Sequence, residues 1–487
     1  MKIRKLIVAL IVVSGIRSYG QQVLQDSILY NKNSFYYLDV KNYPKSDRSL
    51  PIGIFDSGIG GLTVLDAIVN YDKNNNETMQ PGKDGIIDFE KEEFIYLADQ
   101  ANMPYGNYSA ENKNELLKEH IIKDVQFMLG NKYYKSDHAI APNKDKSHIK
   151  ALVIACNTAT AYGKESIEAF IKNAGLNIKV IGVIDAGVRG ALEHLEKDEN
   201  ATIAVMATVG TVTSKGYVNT LNKQLKNLGY EGDVQVFQQG GLGIAEAVDE
   251  DTAYFNTTLN APRESYKGPS INGNTKIDKT LMEIYNFDFS NNRMLCDTQN
   301  TDECQVLQIN DAENYVRYHL VSLLEDIRKS KVTSPLKSII LGCTHYPYLS
   351  NEIKTVLNEL YNYKEQDGSF RYQPYMMENI ILVDPAQNTA KELFEHLKES
   401  DLFGQEGDIY NSKFYISVPN KNNPKIKIDE TGDFTYDYKY GRIEGEIQEY
   451  IKVVPFSDKN ISQDIYLRLE NQLPFTFRLI KQFKSQD

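Results

Sequence analysis

Short apolar runs that each stop at a polar or reactive residue, and then give way to a helical stretch, recur along most of this chain. "LPIGIFD", "EEFIYLAD", "IKALVIACNT", "IKVIGVIDAG", "ATIAVMATVG", "DVQVFQQGG", "LKSIILGCTH" and "NIILVDPAQ" each read as one buried strand. Helix-patterned segments follow several of them, at 109–130, 162–174, 214–228 and 387–398. A strand that is apolar on both faces must be covered on both faces. Alternation with helices therefore demands an α/β fold built on parallel sheets flanked by helices. With 487 residues, two or three such domains fit.

Other stretches break the pattern. Residues 72–92 and 251–310 are rich in Asn, Asp and Lys and read as insertions. Residues 404–487 form a tyrosine-rich tail, with "FTYDYKYGRIEGEIQEYIKVV" suggesting a β-rich C-terminal extension. The 72–92 segment resembles an interrupted EF-hand loop: Asp72, Asn74 and Asn76 have alternating oxygen spacing, and "DGIIDFEKEEF" supplies Asp84 and Asp88. Bound Ca2+ is one expectation for this segment. A solvated acidic loop is the other, because "NNNE" lacks the loop glycine.

The amino terminus carries Lys2, Arg4 and Lys5, an apolar run from Leu6 to Val13, and small residues at Ser18 and Gly20. That is the layout of a secretory signal over residues 1–20, with a run too short to span a bilayer. The expected mature protein is exported, periplasmic or secreted, with no membrane span and no cysteine near the cut to carry lipid. Cleavage there removes four basic residues and no acidic one, moving the net charge from −12 to −16. Such a charge excludes a general affinity for nucleic acid or anionic membrane. Export also bears on Cys296 and Cys304, which lie close together in a polar stretch and are expected to form a disulfide.

Cys156 and Cys343 need another explanation, since each ends an apolar strand and precedes hydrogen-bonding side chains. In open α/β sheets, ligands bind beyond the carboxyl ends of strands. Asp56, Asp99, Cys156, Thr208, Cys343 and Asp384 all follow strands and are candidates for one polar rim. A thiol is a usable base near neutral pH because neighbours easily lower its pKa. Two thiols facing one carbon acid invert it when one removes a proton and the other returns one to the opposite face. His345 and Asp56 are suited to assist. A Cys–His hydrolase built on Cys343 and His345 is a competing reading, and so is a binding module. The "DSGIGG" turn is not a dinucleotide fingerprint, because Thr63 stands where the third glycine would fall.

The ordered set "GIFDSGIGGLTVL", "YLADQANMPYG", "VIACNTATA", "GTVTSKGY", "LGCTHYP" and "LVDPAQNTA" resembles the motifs of glutamate racemases, within the aspartate/glutamate racemase superfamily. The likeness spans roughly residues 50–400 outside the insertions. It implies two pseudo-symmetric α/β lobes with the site between them: 51–178 as the first, 179–378 as the second, and 379–403 returning to the first. It also implies interconversion of L- and D-glutamate without an organic cofactor, with Cys156 and Cys343 exchanging the α-proton beside Asp56 and His345. Asp56, Ser57, Tyr105, Gly106, Asn157, Thr158, Thr344 and His345 would hold the amino acid. Aspartate or a broader amino-acid range, and an exported amino-acid-binding protein on the same fold, are the alternatives. A homodimer is a further expectation. The chain departs from the family at Gln100 and Asn102, where relatives commonly carry threonine and arginine. It also departs at "QQGGLGIAEAVDED", where Glu246, Asp249 and Glu250 all compete for the role of the second-lobe acid. The insertions, the tail and the export signal are additions. Relatives supply D-glutamate for cell-wall peptidoglycan inside the cell.

Overall fold

A computed structural model describes residues 19–484. The expected signal at 1–20 falls almost wholly outside the described residues. In chain order the strands are β1 (Ile52–Asp56), β2 (Phe94–Ala98), β3 (Ala151–Ile154), β4 (Lys179–Gly182), β5 (Ala201–Ala207), β6 (Val234–Gly240), β7 (Met294–Cys296), β8 (Leu307–Ile309), β9 (Leu336–Gly342), β10 (Met376–Val383), β11 (Lys413–Pro419) and β12 (Ile451–Pro455). Six of them form one sheet in the order β12-β11-β2-β1-β3-β4, parallel except where β12 runs against β11. Four form a second, parallel sheet in the order β10-β9-β5-β6. Every residue of β1, β2, β3 and β5 is buried, as strands covered on both faces must be. The α/β class with two helix-flanked parallel sheets is as expected.

Two main core clusters form, the first continuing from the first sheet onto Ile203, Val205, Ile340 and Val383 of the second sheet. Ile54, Phe55, Leu97, Val153 and Ile181 belong to the first, and Ile339, Leu341, Leu320, Leu324 and Val356 to the second. The sheets change over between β4 and β5 rather than at 178/179, since β4 pairs with β3. Likewise β10 pairs with β9, so residues 379–383 run in the second sheet before the chain returns. The helix Pro385–Glu399 then packs against both Val183–Leu192 and Leu62–Val69. That contact needs small residues: a Cβ on Gly187 would sit 2.9 Å from Pro385, and one on Gly190 would run into Asn388. The apolar stretch "IKVIGVIDAG" is strand only to Gly182 and helix from Val183, because a helix buried all round and a buried strand read alike.

The C-terminal extension is not β-rich. It holds β11 and β12 but also the helices Tyr436–Gly441, Gln463–Gln472 and Pro474–Lys484. β11 adds to the exposed edge of β2, and its Phe414, Tyr415 and Ile416 enter the first core. The helix Pro474–Lys484 buries Phe477, Leu479 and Ile480 in that core, an apolar face at helical spacing that the tyrosine count obscured. The 251–310 insertion is similarly integrated, with Ile284, Tyr285, Met294 and Ile309 packed into the second core. Within it the β7–β8 hairpin carries the Cys296–Cys304 disulfide.

The calcium expectation for the 72–92 segment is not supported. The Asp88 carboxylate accepts from the backbone N–H of Lys73 and Asn74 and from Asn74 Nδ2 at 2.7 Å. Asp84 accepts from the N–H of Asn76 and Ile86, and Asp72 faces Lys83 and the N–H of Asp84. The carboxylates meant for an ion are turned onto the loop's own backbone and side chains, and Asn76 gives its Nδ2 to the Ile87 carbonyl, leaving its buried Oδ1 without a partner. Among the described residues no three of these acidic groups converge. No described helix is long and apolar enough to cross a membrane.

Candidate active site

Asp56 ends β1, Cys156 follows β3 and Cys343 follows β9, so the two free cysteines stand at carboxyl ends of strands in different sheets. Cys156 is the N-cap of the helix Asn157–Asn173, and its Sγ accepts the Ala159 N–H at 3.3 Å. The positive end of that helix favours a thiolate. Working against it, burial and then the neighbouring Asp56 charge push the thiol up to about 12. The thiol also lies 3.5 Å from Ser57 Oγ.

Asp56 is itself buried, and that burial raises its pKa above the ordinary carboxylate value. The N–H groups of Gly58 and Gly61, 3.2 and 2.9 Å from Oδ2, and the Cys156 thiol hold it back. The turn comes that close only because Gly61 has no side chain: a Cβ there would stand 2.5 Å from that of Asp56 and 2.9 Å from that of Ala155. The Asp56 charge thus disfavours ionisation of Cys156, whereas the Cys156 thiol, as a donor, favours the Asp56 carboxylate.

The second thiol has a different environment. Cys343 Sγ is 3.6 Å from His345 Nδ1, and His345 Nε2 is 3.0 Å from Asp249 Oδ1. Burial alone would push the imidazole pKa down. Hydrogen bonds to Asp249 and Cys343 outweigh it and raise the value to about 10. The imidazolium so stabilised faces the sulfur. Of the three competing acids, the fold chooses Asp249: Glu246 Oε2 is spent on the Gly243 N–H, and Glu250 is exposed.

One residue ties the halves together. Asn157, next to Cys156, donates from Nδ2 to the Gly342 carbonyl next to Cys343 at 3.0 Å, and its Oδ1 accepts from Tyr217 OH at 3.1 Å. A cavity of about 180 Å³ opens beside this contact, lined among others by Thr63, Asn157, Tyr217, Cys343, Thr344 and Asp384. Cys156, Asp56, Ser57 and His345 stand outside its lining. Thr158 lies in the first turn of the helix that Cys156 caps, and the exposed Gly106 begins the short helix Gly106–Ala110.

Tyr105 is not in the cavity. Its hydroxyl lies 2.6 Å from both Asp99 Oδ2 and Asp124 Oδ2. One hydroxyl proton cannot serve two carboxylates, and burial together with the charge of Asp99 raises Asp124 well above the ordinary range. Asp99, assigned to the rim from sequence, instead accepts from Tyr105, Ser417 and Asn102 in a buried network. Asn102 in turn accepts from Arg442 of the extension at 2.9 Å. Tyr217 and Asp249 are the groups that sequence reasoning missed or left undecided. "EAVDED" carried a signal for the acid, and Tyr217 closes the motif "GTVTSKGY", although that motif attached no role to it.

Two α/β lobes thus each bring one free thiol toward a shared boundary, where Asn157 beside Cys156 meets the carbonyl of Gly342 beside Cys343. No family model matches the chain. It is 31% identical over 308 residues to a glutamate racemase of Oceanobacillus iheyensis, covering 63% of this chain and 72% of that one. It is also 31% identical over 305 residues to one of Sulfurihydrogenibium, covering 63% and 74%. A glutamate racemase of Lactobacillus johnsonii matches at 26% over 377 residues, covering 77% and 91%. The chain belongs to the glutamate racemase family. Among solved structures, glutamate racemase isoform RacE1 from Bacillus anthracis superposes with a TM-score of 0.42 at 22% identity, over 75% of this chain and 87% of that one. Glutamate racemase from Francisella tularensis in complex with D-glutamate gives 0.40 at 20%, over 79% and 91%.

Proposed function

We propose that this chain is an exported amino-acid racemase that interconverts L- and D-glutamate by two-thiol transfer of the α-proton. The observation that carries the reading is the pair of free, buried thiols, each at a strand end with its own proton partner: Asp56 for Cys156, and His345 with Asp249 for Cys343. Binding alone needs no such pairing, and a Cys–His hydrolase leaves Cys156 unexplained. One sulfur, as thiolate, takes the α-proton, leaving a carbanion stabilised by the substrate's carboxylate. The other thiol gives its proton to the opposite face, and solvent exchange restores the starting state.

The cavity lining includes Asp66 and Asp384 and no Lys or Arg. An acidic substrate would rest on neutral donors instead: Asn157, Thr158, Thr344 and the amides at the start of the Asn157–Asn173 helix. Membership of the glutamate racemase family favours glutamate over aspartate or a broader range. The basic, apolar amino-terminal pattern and the Cys296–Cys304 disulfide support export.

The test is incubation of L- and D-glutamate in D2O, followed by NMR and chiral analysis. Inversion with one solvent deuterium at the α-carbon is expected, falling by about 10²–10⁴-fold in Cys156→Ala and in Cys343→Ala. Binding of glutamate without any α-exchange would refute the reading.

A further inference from the structure

We propose that Arg468, in the C-terminal extension, is a positioning residue for the Cys343 half of the site. Its Nη1 lies 3.0 Å from Asp249 Oδ1, the same oxygen that His345 Nε2 meets at 3.0 Å. A continuous chain of polar contacts therefore runs from the tail to the sulfur: Arg468, Asp249, His345, Cys343. Nothing in the family's motif set supplies this arginine, because residues 404–487 lie beyond the last of those motifs, "LVDPAQNTA". The inference rests on the two-thiol reading above.

The geometry assigns Arg468 a task that Asp249 cannot perform alone. Asp249 sits just after the short helix Ile244–Val248, with its side chain about a quarter exposed. An acid so placed has solvent-facing rotamers open to it, and in those His345 loses its partner. The guanidinium closes them by holding the oxygen at the imidazole. Its charge also draws on the same oxygen, so the proton on His345 is stabilised without being trapped.

The support for Arg468 is itself firm. Its helix, Gln463–Gln472, is N-capped by Ser462 and buries Leu469 in the first core. In the next helix, Thr476 Oγ1 donates to Asp66 Oδ1 at 2.7 Å, on the first-lobe wall of the cavity. Glu470 and Lys481 join the two helices at 2.9 Å. A cation carried by the first lobe thus orders an acid of the second.

The experiment uses full-length protein with Arg468→Gln, Arg468→Lys and Thr476→Val, and both enantiomers of glutamate bearing α-deuterium. Because L- and D-glutamate are equally stable, kcat/KM must fall equally in the two directions, and the fall alone says nothing about which thiol is impaired. The isotope effect does. In one direction Cys343 removes the labelled proton; in the other it only delivers a proton drawn from solvent.

For Arg468→Gln, kcat/KM is expected to drop about fivefold, the upper range for a partly exposed ion pair. The isotope effect should rise for the enantiomer whose proton Cys343 removes and shrink for the other, with Arg468→Lys restoring most of both. Native rates in Arg468→Gln would overturn the proposal, as would isotope effects that move together. Thr476→Val, which loosens the helices that carry Arg468 without touching Asp249, should show the same divergence to a smaller degree, and a divergence larger than that of Arg468→Gln would overturn the proposal. A native protein without any α-exchange removes the two-thiol reading and this proposal together. Exchange in the native protein with unaffected Arg468 variants removes only this proposal.

Discussion

His345 shows how one side chain's charge is decided by what surrounds it. Burial would make the imidazole neutral, yet Asp249 on one nitrogen and Cys343 on the other keep it protonated, with a pKa raised from 6.5 to about 10. Because the folded value is the higher one, the pair contributes stability that is fully present below about pH 6.5. That stability is lost as pH rises through 10. The same window applies to the chemistry: α-proton exchange should fall as pH climbs past about 10, where the imidazolium beside Cys343 deprotonates. A pH–rate profile of His345→Gln should lack that alkaline limb and run lower throughout. Retention of the limb in this variant would assign it to another group. Cys156 presents the opposite case, a thiol that burial and the neighbouring Asp56 charge push up to about 12, suited to giving a proton.

Helices join the lobes at their closest approach. Pro385–Glu399 lies against Val183–Leu192, with Gly187 facing Pro385 and Gly190 facing Asn388. Pro385 occupies the first helical position, where its missing N–H costs nothing, and Asp384 caps it by accepting the Ala386 N–H at 2.8 Å. A side chain at Gly190 has no space to enter. Gly190→Val should therefore cost about 1–3 kcal/mol by forcing the helices apart, which chemical denaturation measures directly. Because Asp384, Pro385 and Val183 also line the cavity, that variant should lose exchange activity beyond its loss of stability. An unaltered denaturation midpoint would mean that the helices separate freely.

For the whole molecule, the extension is part of the fold and not an appendage. β11 completes the first sheet beside β2, and Phe414, Tyr415, Ile416, Val454, Phe477 and Ile480 are buried in its core. At about 1.5–3 kcal/mol for each buried side chain, those six supply on the order of 10 kcal/mol, as much as the entire net stability of an ordinary domain. Arg442 adds a guanidinium 4.0 Å from the Tyr450 ring and bonded to Asn102. Truncation after residue 403 should yield insoluble or unfolded chain, checked by soluble yield and circular dichroism. A soluble, folded truncation would mean that the lobes are self-sufficient.

The eight apolar runs, their helical followers and the two strand-end cysteines were enough to specify the α/β class, the two sheets and the thiols, because burial on both faces leaves a local signature. The tail and the acid partner were not legible in this way. In the tail, tyrosines suit strand and helix surfaces alike, so its helices emerged only from what they pack against. In "EAVDED" four carboxylates stand within six residues, and only the placement of His345 across the loop selects Asp249. The same holds for Asp99, which ends a strand as the rim pattern requires but is claimed by Tyr105 and Ser417. For the calcium-like loop, oxygen spacing along the chain resembled a binding site, while the folded backbone supplied its own donors to those carboxylates. Periodicity and strand ends are properties of neighbouring residues and survive in one dimension. Which charge meets which across more than two hundred residues, as Arg468 meets Asp249, is decided only when the chain closes on itself.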